Sequence, residues 1–108
     1  MPIRRMKQSE DAVFSAVWRK DGGATVTVKV RGGRYHRNIE RDGLATLREA
    51  ADLLRVNPAT VWRWVEGGIM KGLKYQGVIV VGMSELRKYG LASGYLMRGK
   101  DGSIIPAE

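Results

Sequence analysis

The chain has 108 residues, is 44% hydrophobic and 28% charged, and carries a formal net charge of +8 without a single cysteine. That size supports one domain with one modest core, the balance is globular rather than disordered, and no apolar run approaches the roughly 20 residues that span a bilayer. Lack of cysteine excludes a disulfide framework and a thiolate metal site. The start, Met1-Pro2-Ile3-Arg4-Arg5-Met6-Lys7, lacks the apolar stretch of a secretory signal, so a cytoplasmic protein is expected.

The positive charge is unevenly spread. Residues 1–43 carry a net +5, residues 44–68 are neutral, residues 69–94 carry +3 and residues 95–108 are balanced. Such an excess on a small domain favours an anionic partner, nucleic acid first, through counterion release. A near-neutral centre between basic flanks suits a division of labour in which Lys and Arg hold phosphates while another surface reads bases.

Residues 24–31 alternate, with Val26, Val28 and Val30 on one face and Thr25, Thr27, Lys29 and Arg31 on the other. Asp21-Gly22-Gly23 and Gly32-Gly33 bracket them as turns, so residues 12–20 and 34–39 are the expected flanking strands of a three-stranded meander. Val13, Phe14, Val17 and Trp18 also fit helical spacing, with Ser9-Glu10-Asp11 as a start, and the sequence leaves both readings open.

After Arg41-Asp42-Gly43 the period changes. Thr46 and Glu49 form a capping box, and Leu47, Ala50, Ala51 and Leu54 follow at helical spacing. Arg55-Val56-Asn57 interrupts, then Asn57-Pro58 restarts a helix that Gly67-Gly68 ends. Two short helices across so tight a break have helix-turn-helix spacing. Residues 70–75 and 78–81 read as a hairpin around Gln76-Gly77, and residues 84–89 as a third helix stopped by Gly90. Residues 95–97 and 103–105 suit either a last hairpin or a loose tail.

On a helical wheel, Val61, Trp64 and Val65 form the inward stripe of the second helix. Ala59, Thr60, Arg63 and Glu66 cluster opposite, and Trp62 at the border is placed to pack under the following hairpin. Small residues let a backbone approach base edges, Arg takes guanine O6 and N7, and Glu accepts from cytosine N4. Any surface helix also has a polar outer face, so periodicity alone does not separate DNA reading from plain solvation.

The run Leu44-Ala45-Thr46-Leu47-Arg48-Glu49-Ala50-Ala51-Asp52-Leu53-Leu54, followed by Asn57-Pro58-Ala59-Thr60-Val61-Trp62-Arg63-Trp64-Val65-Glu66-Gly67-Gly68-Ile69, resembles the excisionase-like, MerR-type winged helix-turn-helix families. The likeness continues through Leu73-Lys74-Tyr75-Gln76-Gly77 as wing and Met83-Ser84-Glu85-Leu86 as closing helix, and covers residues 44–89. It implies a DNA-binding module whose second helix enters the major groove. By the same resemblance Pro58, Ala59, Thr60 and Arg63 face the groove, Lys71 and Lys74 are basic wing positions, and Arg48 approaches phosphate. Two departures stand out. Arg55 occupies a turn position where the families usually have glycine, which predicts a reshaped or strained turn. The far wing strand, usually basic, is Val78-Ile79-Val80-Val81, which predicts burial against the N-terminal sheet or a second subunit.

Trp18-Arg19-Lys20-Asp21-Gly22-Gly23, the valine strand and Arg31-Gly32-Gly33-Arg34-Tyr35-His36-Arg37 weakly resemble the three-stranded arm-binding domain of phage-type integrases. That likeness implies phosphate contacts from Arg31, Arg34, Arg37 and Arg41. The alternative is a structural sheet or dimerisation edge with solvated arginines, since charges on exposed strands also deter aggregation.

His36 stands alone among basic residues, no serine has a nucleophile-elbow context, and no phosphate-binding glycine motif is present. The expectation is an α+β protein and not an enzyme: a basic β-rich region over residues 1–43, a winged helix-turn-helix over 44–90 and a C-terminal hairpin or tail over 91–108. It would bind double-stranded DNA sequence-specifically without a cofactor, as a dimer or as adjacent copies. The competing class is a protein-interaction or RNA-binding module that uses the basic sheet and keeps the helices as scaffold.

Overall fold

A computed structural model describes residues 13–107. The helix start considered at Ser9-Glu10-Asp11 lies outside the described residues. The architecture is α+β, with three small antiparallel sheets and three helices among the described residues.

Strands β1 (Val13–Trp18), β2 (Ala24–Val30) and β3 (Gly33–Ile39) form the expected meander in the order β1-β2-β3. The alternative helical reading of the first segment gives way because Ala16 and Val26 pair across strands and bury one face. That face packs on α1 (Leu47–Leu54), and Trp18 Nε1 donates to the Leu53 carbonyl at 3.1 Å.

The capping box forms as the sequence anticipates. The Glu49 amide donates to Thr46 Oγ1 at 3.2 Å, and the Thr46 amide donates to Glu49 Oε1 at 2.9 Å. The turn then depends on Arg55, which sits in the left-handed region at φ 60° and ψ 44° while its N–H reaches back to Ala51 and Asp52. A non-glycine side chain there costs about 1 kcal/mol, so the expected strain is present. Val56 N–H caps Ala51 at 2.9 Å, and Asn57 Oδ1 accepts from Ala59 N–H at 2.8 Å to open α2 (Pro58–Glu66).

A strand that sequence patterning missed, β4 (Leu44–Thr46), leads into α1. It pairs with β6 (Val78–Gly82), which also pairs with β5 (Gly72–Tyr75), giving the order β4-β6-β5. Gln76 and Gly77, at φ 51° and 81°, make the tight hairpin turn between β5 and β6. Central position explains the apolar Val78–Val81 run. Val80 and Val81 are buried within their own sheet and against α1 and α3 (Met83–Ser93), so neither the N-terminal sheet nor a second subunit has to cover them.

Helix α3 runs past the expected stop at Gly90 and ends at Gly94, which has φ 86°. Gly90 serves packing instead: a Cβ there would sit 2.5 Å from Leu96 Cδ1 and 2.9 Å from Leu54 Cδ2. The C-terminal segment is a hairpin, β7 (Leu96–Arg98) with β8 (Ile104–Pro106). One continuous apolar core runs from Ala16 to Ile104, so the three sequence segments share it.

Candidate nucleic-acid interface

Helix α2 is held down on one side and bare on the other. Val61 and Trp64 are buried and Val65 is half-buried, the stripe that the wheel predicts. Trp64 anchors the helix against Tyr89 of α3 and Tyr95, with ring centroids 4.7 and 5.3 Å apart at tilted angles. On the far side Pro58, Ala59, Arg63 and Glu66 are exposed, and Thr60 is half-buried. Arg63 makes no side-chain hydrogen bond or ion pair with any described residue. Trp62, expected under the hairpin, is 39% exposed and belongs to this open side.

The β5–β6 hairpin flanks α2. A Cβ at Gly72 would lie 2.6 Å from Val65 Cγ1, so this face of β5 looks at the helix. Strand alternation puts Lys74 on the same face, opposite Ile79, with its side chain exposed. Lys71 precedes β5, also exposed, its N–H fixed by Glu85 Oε1 at 2.8 Å. Leu73, Tyr75 and Val78 emerge on the other face and are exposed as well.

Arg48 is exposed on α1, with its guanidinium carbon 4.8 Å from the centre of the Phe14 ring. It therefore lies beside β1 and remains open to solvent. Next to it, Asp52 has one carboxylate oxygen buried without a hydrogen-bond partner among the described residues. That burial pushes its pKa up, against the pull of Arg48 and Arg55.

The four arginines grouped together from the N-terminal sequence separate into two kinds. Arg37 Nη1 lies 2.8 Å from both oxygens of buried Glu49, and its Nη2 donates to the Leu44 carbonyl at 3.2 Å. Arg41 donates to the Asp21 carbonyl at 3.0 Å. Its own carbonyl accepts from Arg87, which also bonds the Gly22 carbonyl and so ties α3 to two turns. Burial, then the nearby Arg41 charge, draws the Arg87 pKa down, and Asp42 opposes this. Arg37 and Arg41 thus fasten the fold, while Arg31 and Arg34 are exposed and bond no described residue through their side chains.

Sequence reasoning overlooked one member of this surface. Lys29 in β2 lies directly opposite Arg34 in β3. The signal exists in the alternation, but the pairing partner depends on the hairpin register, which the two-residue turn at Arg31-Gly32 sets.

Among the described residues no group of three His, Cys, Asp or Glu side chains is arranged to hold a metal ion. No helix is long and apolar enough to cross a membrane among those residues. Comparisons with protein-family models, curated proteins and solved structures give no match.

Proposed function

We propose that the protein binds double-stranded DNA sequence-specifically, with α1 and α2 as the helix-turn-helix and the β5–β6 hairpin as its wing. The observation that carries this reading is Arg63 on the open side of α2. It is an uncommitted guanidinium among small and polar neighbours, on a helix anchored from behind by Trp64 and flanked by Lys74. An α-helix fits the major groove of B-form DNA, and Arg matches guanine there in a two-pronged contact. Lys71, Lys74 and Arg48 supply phosphate contacts, which fix register without reading sequence.

The role that follows is a small cytoplasmic transcriptional regulator or an excisionase-like recombination or packaging factor. One helix covers few base pairs, so binding uses a dimer or adjacent copies on the DNA. Neither catalytic chemistry nor a cofactor enters this function. Arg63→Ala tests it: affinity for a selected cognate duplex falls by about 1–3 kcal/mol and preference relaxes at one base pair. Equal binding of both proteins to every duplex would contradict the reading.

A further inference from the structure

The outward face of the N-terminal sheet has no part in the core. Strand alternation gives it Thr25, Thr27 and Lys29 from β2 and Arg34, His36 and Asn38 from β3, in three directly opposed pairs. Thr25 Oγ1 bonds Asn38 Oδ1 at 3.0 Å, and Thr27 Oγ1 meets His36 Nδ1 at 3.2 Å. No strand position on this face is acidic in any of the three strands. Lys29 and Arg34 stand opposite each other, and Arg31 sits in the turn that joins their strands. None of these three side chains bonds or pairs with a described residue.

Folding does not account for this arrangement. Like charges directly across an antiparallel pair repel and destabilise the sheet. Edge protection fails as an explanation for Lys29, because β2 is the central strand and has no free edge. An uncompensated cation pair beside a third cation, at one end of a face that otherwise carries hydroxyl, amide and imidazole groups and the exposed Val17 of β1, complements a row of phosphates.

We infer that the outward face of β1–β3 is a second duplex-DNA contact, in which Lys29, Arg31 and Arg34 hold the phosphate backbone. Duplex is favoured over single-stranded nucleic acid because unpaired bases are held chiefly by stacking on aromatic side chains. The face offers one imidazole and no other ring. Arg37 and Arg41 are not part of this surface, since both are engaged within the fold. The inference extends the DNA-binding reading without requiring α2, so the two can fail separately.

The test uses the full chain and a mixed-sequence duplex. Amide resonances of residues 25–29 and 34–38 shift on adding duplex, in wild type and in Arg63→Ala alike. Lys29→Ala/Arg34→Ala abolishes those shifts, melts no lower than wild type, and reduces the slope of log affinity against log salt by about 2. Unmoved sheet amides at saturating duplex would overturn the inference. Larger shifts with single-stranded RNA of the same length would overturn the choice of DNA. Persistent sheet shifts in a protein whose sequence preference ignores Arg63 would uphold this surface and sink the role given to α2.

Discussion

Arg37→Ala separates an arginine that fastens the fold from one that does not. The Glu49 side chain is 7% exposed, and Arg37 Nη1 lies 2.8 Å from each of its carboxylate oxygens. Exposed ion pairs contribute about 0.2–1 kcal/mol, whereas stripping one partner from a fully buried pair costs about 3–5 kcal/mol. This pair lies between those limits. The Arg37 side chain is 50% exposed, and after its removal Glu49 keeps the Thr46 amide as a donor. A loss of about 2 kcal/mol follows, or a melting temperature lower by roughly 7–10 °C for a chain of this size. Arg34→Ala is the matched control: the same residue type, in the same strand, on the opposite face, changing stability by no more than about 0.5 kcal/mol. Urea unfolding followed by tryptophan fluorescence measures both. Glu49→Gln completes a double-mutant cycle that isolates the coupling. Equal stabilities for Arg37→Ala and Arg34→Ala would refute the assignment of Arg37 to the fold.

Gly90→Ala sets helix propensity, which favours alanine by about 1 kcal/mol, against overpacking of about 1–3 kcal/mol where the new methyl meets buried Leu96 and Leu54. Net destabilisation of about 1 kcal/mol is expected, and a higher urea midpoint would contradict the packing role. Asp52 adds a pH signature, because burial raises its folded pKa above 3.8. Its protonated form suits the fold, so its contribution is greatest below 3.8 and is lost as pH rises through the folded value. Asp52→Asn lacks this loss, and the variant therefore gains on wild type across that window. Parallel stability curves for the two proteins would show that Asp52 is not buried as described.

Local chemistry explains what the sequence revealed. The capping box at Thr46 and Glu49, the Asn57-Pro58 restart and the alternating valines of β2 are each decided within a few residues. Features set by distant partners stayed hidden. Strand β4 has three residues, and its identity depends on pairing with β6, more than thirty positions away. Gly90 carries a stop signal locally, but the helix runs through it, and its lack of a side chain serves the close approach of Leu96 and Leu54. The apolar Val78–Val81 run signals burial without showing that only Val80 and Val81 are covered, or by what. On the candidate interface, the outer face of α2 was legible from the wheel because one helix defines it. The arginines of β3 were not, since Arg34 and Arg37 differ only in which face of the strand each takes and what waits there.

Selection of preferred duplexes from a random pool, with single-stranded RNA binding measured alongside, tests the central claim most directly. The account predicts a shared short motif containing a guanine whose enrichment disappears in Arg63→Ala, and weaker binding to the RNA. A pool that emerges without any motif, or retention of the full motif by Arg63→Ala, would contradict it.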